Sequence, residues 1–367
     1  MTTTVPLIYS FPEFEGVAEA VADHIISAQN QTLYNTLDPQ LIALLKEEQS
    51  KRPSLFPSSS TASFSHSSNN HSLSPSTLNL SLSTSQLNSQ SKLYTGSLNN
   101  SINNNGINSN SDFSPNNGGT PISKKEKKRK TSEVRFKIAI SGGSLIKILN
   151  QGLLPRQESI EWDKWDIYFA DERLVPFESK DSNYGESKRQ IFDQIKGDKK
   201  PRIFHIDESL IDDNQECADD YEKILINNFA RKDSVKLPMF DLLLLGCAPD
   251  GHIASLFPNH GEQLREKLAW CLPVSKAPSG PENRITLSIP VICHSARVTF
   301  VVEGLTKAPI MRIIMERPEK GLPSSIVNEG AAGRVSWFVD DDALKDCYDV
   351  TKKKYKFLSI DEPTPVN

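Results

Sequence analysis

The segment Gly246-Cys247-Ala248-Pro249-Asp250-Gly251-His252-Ile253-Ala254-Ser255-Leu256-Phe257-Pro258 sets a carboxylate and an imidazole two residues apart. An imidazole titrates near neutral pH, and a neighbouring carboxylate orients it and supports its charged form. That pairing suits a general base. A lone histidine is more often structural than catalytic, but His252 sits at a loop tip beside Asp250, just after a run of four leucines. The pattern favours catalysis by His252, with Asp250 as its orienting partner.

Three further segments offer groups that hold anions. Ser141-Gly142-Gly143-Ser144 follows a short apolar run and precedes a helical stretch from Leu145. Paired glycines let the backbone approach a ligand closely, and N–H groups exposed at a helix start favour an anion. A phosphate cradle and a plain tight turn are the two readings of that segment. Arg173, in Asp171-Glu172-Arg173, presents a planar fork that fits phosphate or carboxylate; an exposed charge trio is the alternative. Arg284, opening Arg284-Ile285-Thr286-Leu287, and Lys307, just after Gly304, complete the cationic candidates, each weighed against an ordinary surface charge.

Other chemistries lack residues. The glycine turn is not G-x-G-x-x-G, and no G-x-x-x-x-G-K-[ST] occurs, so dinucleotide and nucleotide binding have no support. Neither a G-x-S-x-G elbow nor H-E-x-x-H is present. The five cysteines, Cys217, Cys247, Cys271, Cys293 and Cys347, are odd in number and form no C-x-x-C pair. A zinc cage or disulfide framework is therefore not expected, and a reducing compartment fits. No metal or other cofactor is called for. With 42 Lys+Arg against 46 Asp+Glu and a net charge of −4, neither direct DNA binding nor membrane-surface attachment is expected. Residues 1–10 lack the basic start and apolar stretch of a signal peptide, and no apolar run nears the roughly 20 residues that span a bilayer. A soluble intracellular protein is the expectation.

The elements that must position these groups follow from the apolar pattern. Runs at 136–140, 165–170, 240–245, 285–289, 298–302 and 335–339 read as strands, and 181–194, 213–229 and 306–316 as helices. Strands that are apolar throughout, separated by helices, predict an α/β fold, a mostly parallel sheet with helices on both faces. Ligands then sit beyond the carboxyl ends of the strands. Near the start, Val17, Ala18, Val21, Ala22, Ile25 and Ile26 recur with helical spacing. From 57 to 120 Ser and Asn dominate, with Lys92 and Asp112 the only charges. Such a tract buries too little apolar surface to offset its ordering entropy, so it is expected to be disordered. The run KKEKKRK at 124–130 reads as a nuclear-import signal or phosphate-backbone contact, or as a solvated linker end. The expected organisation is an N-terminal helical part of the main domain at 1–50, a disordered insertion at 51–132, and a sugar-phosphate-binding α/β domain at 133–367.

Taken in order, the motifs resemble the 6-phosphogluconolactonase family. The matching elements are Ser141-Gly142-Gly143-Ser144, then Asp171-Glu172-Arg173-Leu174-Val175-Pro176 with Asp181-Ser182-Asn183-Tyr184. Pro249-Asp250-Gly251-His252 follows with Ala254-Ser255-Leu256-Phe257-Pro258, then Arg284-Ile285-Thr286, and Gly304 with Lys307-Ala308. The resemblance covers essentially everything outside the insert and looks closest to fungal Sol-type members, which share Gly246-Cys247-Ala248-Pro249 and carry a polar insert. It implies a fold related to glucosamine-6-phosphate deaminase and ribose-5-phosphate isomerase. It also implies hydrolysis of 6-phosphoglucono-1,5-lactone, a sugar-phosphate lactone of the pentose phosphate pathway, in the cytoplasm without metal or nucleotide. Deaminase relatives carry Phe-Asn-Glu-Pro where this chain has Leu256-Phe257-Pro258, which favours the lactonase branch.

On that resemblance His252 and Asp250 are catalytic, while Ser141, Gly142, Gly143, Ser144, Arg173, Arg284 and Lys307 hold the phosphate and developing charge. Two departures stand out. Ala248 replaces a usual Gly, and Lys276-Ala277-Pro278-Ser279-Gly280-Pro281 replaces the usual Lys-Pro-Pro element. Because some Sol-type members are linked to tRNA export from the nucleus, the resemblance carries an alternative. It is a catalytically degenerate homologue, also nuclear, tied indirectly to the tRNA export machinery.

Overall fold

Every side chain of the run Leu242–Leu245 is buried, and the four leucines divide between two cores. Successive residues of a strand point to opposite faces, so a strand covered on both sides is apolar throughout. A computed structural model describes residues 6–36, 133–230 and 237–358. The Ser/Asn-rich tract and the basic cluster at 124–130 lie outside the described residues.

The strands are β1 (Leu7–Phe11), β2 (Phe136–Ile140), β3 (Trp165–Phe169), β4 (Asp171–Arg173), β5 (Arg202–Phe204), β6 (Leu242–Leu245), β7 (Cys271–Val274), β8 (Arg284–Leu287), β9 (Val298–Val302), β10 (Val335–Asp340) and β11 (Lys352–Lys353). The helices are α1 (Phe14–Tyr34), α2 (Ser144–Leu153), α3 (Asn183–Gln190), α4 (Asn214–Phe229), α5 (Gly261–Arg265), α6 (Ile289–His294), α7 (Ala308–Glu316) and α8 (Pro323–Gly330). Eight strands form one sheet in the order β11-β1-β10-β9-β6-β2-β3-β5, and all of its pairings are parallel. Leu242 and Leu244 pack in the core that holds α1 and α2. Leu243 and Leu245 face the core that holds α4, α6, α7 and α8. The expected α/β architecture, a mostly parallel sheet with helices on both faces, is what the chain adopts.

Within α1, Val17, Ala18, Val21, Ala22, Ile25 and Ile26 are all buried. The strand β1 just before it pairs with β10, and β11 closes the same edge. From β2 the chain passes through α2 to β3 on one side. It reaches β6, on the other side of β2, only after β5 and α4. The strand order therefore reverses between β2 and β6, and the crevice outside such a switch point is where open α/β sheets bind ligands.

Three expectations need correction. The run at 285–289 forms β8 over Arg284–Leu287, outside the parallel sheet, in a three-stranded antiparallel sheet of order β4-β8-β7. Ile289 instead begins α6, with proline in its first turn, where the missing N–H costs nothing. Asp171–Arg173 is the strand β4 of that small sheet, with Asp171 and Glu172 buried, rather than an exposed charge trio. The helix expected at 181–194 ends at Gln190, and a separate 3-10 turn covers Phe192–Gln194.

Candidate active site

Four neighbouring strands, β9, β6, β2 and β3, deliver the candidate residues to one rim of the sheet. The turn Ser141-Gly142-Gly143-Ser144 leaves β2. The loop with Asp250 and His252 leaves β6, Lys307 lies after β9, and Asp171–Arg173 follows β3. Because the strands are parallel, all four carboxyl ends point the same way.

The histidine loop is tightly built. Ala248 N–H donates to the His252 carbonyl at 3.1 Å, and Gly251 N–H donates to the Ala248 carbonyl at 2.9 Å. Gly251 has φ 86°, the left-handed region that favours glycine, and a Cβ there would lie 3.1 Å from Ile310 Cδ1. Ala248 is not among the positive-φ residues, so the methyl at this departure adds no backbone strain. His252 Nδ1 lies 2.6 Å from Asp250 Oδ1. An ionised carboxylate only accepts, so Nδ1 carries the proton of the neutral ring and Nε2 keeps its lone pair. Burial pulls the His252 pKa below its ordinary value, opposed by the charge and hydrogen bond of Asp250 and by the charge of Asp171; Arg284 adds to the lowering. The ring is therefore neutral at pH 7 and able to accept a proton.

Asp171 is the hub of the rim. It is buried, accepting from Ser141 Oγ of the glycine turn at 2.7 Å and from Ser255 Oγ of the histidine loop at 2.8 Å. Arg173 Nε lies 3.9 Å from Asp171 Oδ2, and Arg284 Nη1 lies 3.4 Å from Ser255 Oγ. Arg173 and Arg284 stand directly opposite each other in the β4–β8 register. Like charges so placed repel. Burial first, and then the Arg173 charge, lower the Arg284 pKa. Arg284 is 2% exposed; its guanidinium donates to the Pro281 carbonyl at 2.9 Å and to the Ser279 carbonyl, and lies 5.3 Å from the Phe257 ring centre. Arg173 Nη1 donates to the Asp181 carbonyl at 2.9 Å, while its Nε is buried without a hydrogen-bond partner among the described residues.

The glycine turn is shaped by close approach. A Cβ on Gly142 would lie 1.7 Å from Asn183 Oδ1, so only glycine fits there. Gly143 caps α2, and nothing stands within 4 Å of where its side chain would be. Ser144 is exposed at the helix start. Lys307 is half-buried; its charge acts on the Cys247 thiol, which burial pushes up to about 12. Among the described residues no hydrogen bond or ion pair joins Lys307 to His252 or Arg173, so it shares their rim through the strand ends alone. No group of His, Cys, Asp and Glu among the described residues has the geometry of a metal site. No described helix is long and apolar enough to cross a membrane.

Sequence reasoning missed Asp171, Glu172, Asn183 and Ser255 as members of the site. All four lie inside the quoted motifs. The signal for Asp171 was alternation: in a short strand, Asp171 and Arg173 share a face and Glu172 takes the other.

Comparison with known proteins follows the same lines. The family model "Glucosamine-6-phosphate isomerases/6-phosphogluconolactonase" matches residues 119–337. The chain is 59% identical over 366 residues to 6-phosphogluconolactonase-like protein 1 of Saccharomyces cerevisiae, covering 99% of this chain and 100% of the relative. It is 37% identical over 238 residues to 6-phosphogluconolactonase 3 of the same yeast, covering 62% of this chain and 90% of the relative. Among solved structures, 6-phosphogluconolactonase from Trypanosoma brucei matches with TM-score 0.50 and 26% identity, over 58% of this chain and 86% of that one. By both the extent of the family match and the full-length identity, the chain belongs to the glucosamine-6-phosphate isomerase/6-phosphogluconolactonase family.

Proposed function

We propose that this protein hydrolyses 6-phosphoglucono-1,5-lactone to 6-phosphogluconate. The observation that carries the reading is the pairing of an Asp250-oriented His252 with the opposed arginines Arg173 and Arg284 around one buried hub, Asp171. A base and an anion-binding wall at one rim are what a phosphorylated lactone needs. The kinship with a yeast protein named 6-phosphogluconolactonase 3 supports the same substrate.

In this reading the cationic side chains and the open N–H groups at the start of α2 fix the phosphate, and with it the ring. His252 Nε2 takes a proton from a water whose oxygen attacks the lactone carbonyl carbon. The oxyanion of the tetrahedral intermediate is stabilised by the positive rim. Collapse breaks the bond to the ring oxygen, and the imidazolium returns its proton to that leaving oxygen. The new carboxylic acid loses its proton to solvent, leaving the histidine neutral for another turn.

The test is a rate measurement with purified full-length protein and freshly prepared lactone, corrected for spontaneous opening. Acceleration proportional to enzyme concentration is expected. A rate equal to the buffer blank sinks the proposal. The alternative, a role in tRNA distribution, rests on Ala248, the altered Lys276 segment, the insert and the basic cluster; the insert and cluster lie outside the described residues, and Ala248 adds no backbone strain to the histidine loop.

A further inference from the structure

Strand alternation sends Asp171 and Arg173 of β4 toward the rim and Glu172 to the opposite face. Glu172 is 1% exposed. Its Oε1 accepts the N–H of Arg173 at 2.8 Å and of Asn183 at 2.7 Å, and its Oε2 accepts the N–H of Tyr184 at 2.7 Å. Two of these donors open α3, whose cap is Ser182. First-turn N–H groups lack intrahelical partners, and a carboxylate there also meets the positive end of the helix. Burial raises the Glu172 pKa to about 7, and the three main-chain donors that converge on the carboxyl group pull the other way.

The segment that Glu172 grips is the one that shapes the anion wall. The Asp181 carbonyl accepts from Arg173 Nη1 at 2.9 Å, which sets the direction of the guanidinium. Asn183 Nδ2 donates to the Asp171 carbonyl at 2.8 Å, and Asn183 Oδ1 fills the space beside Gly142. One side chain thus ties together the strand that carries the hub, the arginine and the wall of the glycine turn.

We infer that Glu172 is a positioning residue for phosphate recognition, holding the 181–184 turn so that Arg173 and the glycine turn face the same anion. This rests on the lactonase reading for its substrate but not for its geometry. A glutamine keeps the volume and one acceptor, but opposes a donor to the Tyr184 N–H, so the turn must shift.

The test compares Glu172→Gln with the wild-type full-length protein on two substrates, 6-phosphoglucono-1,5-lactone and unphosphorylated glucono-1,5-lactone. A loss of folded protein lowers both rates equally and leaves their ratio unchanged. Misplacement of the phosphate wall raises KM for the phosphorylated lactone and lowers the ratio of kcat/KM values at least tenfold, with kcat changed far less. An unchanged ratio overturns the inference. Should the glutamine variant fail to fold, Glu172→Asp retains the carboxyl group and loses reach; the same drop in ratio is expected, and its absence again overturns it. Should the wild type show no hydrolysis at all, the lactonase reading fails by itself. Calorimetric binding of 6-phosphogluconate to wild type and variant then decides for Glu172: at least tenfold weaker binding in the variant supports it, and equal binding or none in the wild type refutes it.

Discussion

Two histidines of this molecule sit beside the same sheet in opposite circumstances. His24, on α1, is 9% exposed; its Nε2 lies 3.0 Å from Thr299 Oγ1, which in turn lies 3.0 Å from Ser336 Oγ. Its neighbours are a hydroxyl and the Phe338 ring, and burial with the nearby Arg297 charge lowers its pKa to about 3. His252, at the rim, is also pulled down by burial, but Asp250 pushes back. Desolvation beside a further positive charge makes a histidine that stays neutral until the pH falls far below 7. Desolvation opposed by a carboxylate makes one that is neutral at rest and still able to charge when a proton arrives.

The comparison breaks most directly at the rings themselves. Replacing His252 by Ala removes the base, and lactone hydrolysis is expected to fall by about 10²–10⁴-fold, the usual scale of general-base catalysis. Replacing His24 is expected to leave the rate per folded molecule unchanged. Initial rates normalised to folded protein check both, and an equal loss in the two variants would erase the distinction between the sites.

Asp250→Asn sharpens the contrast. Asparagine still accepts from Nδ1 but cannot stabilise a charged ring. A roughly tenfold fall in kcat is expected, the low end for a charge-assisted bond, because Asp250 is half exposed at 45%. The sign of the pH effect is fixed as well. Asp250 raises the His252 pKa, so its loss lowers that pKa and moves the acid limb of the rate profile to lower pH. A limb that stays in place or moves upward in the asparagine variant contradicts the assignment of His252 as the base.

Most of the parallel sheet was legible in the sequence because its central strands are buried on both faces: Leu242–Leu245 and Val298–Val302 read as uninterrupted apolar runs. The elements that escaped lack that signature. β7 carries Pro273 and tolerates it at the edge of the small sheet, while β11 is two lysines whose strand identity depends wholly on β1. The site was legible as a set of motifs, since glycine turn, arginine and histidine each follow a strand. Hidden were the contacts between motifs distant in sequence, such as Ser141 and Ser255 meeting on Asp171. No periodicity encodes which carboxylate two serines share.

The smallest effect concerns stability and isolates His24. Its folded pKa of about 3 lies below the ordinary 6.5. At pH values between these, the unfolded chain binds a proton that the native state refuses. The stability owed to neutral His24 is therefore complete above pH 6.5 and drains away as the pH falls toward 3, at up to about 1.4 kcal/mol per pH unit. His24→Gln retains a hydrogen-bonding group near Thr299 but cannot titrate. It is expected to lose about 1 kcal/mol at pH 7.5 through a poorer hydrogen bond, and to flatten the decline between pH 6 and pH 5. Urea unfolding at several pH values measures this directly. Equal slopes in wild type and variant would place the acid sensitivity elsewhere, with the carboxylates, and remove His24 as the buried counterpart of His252.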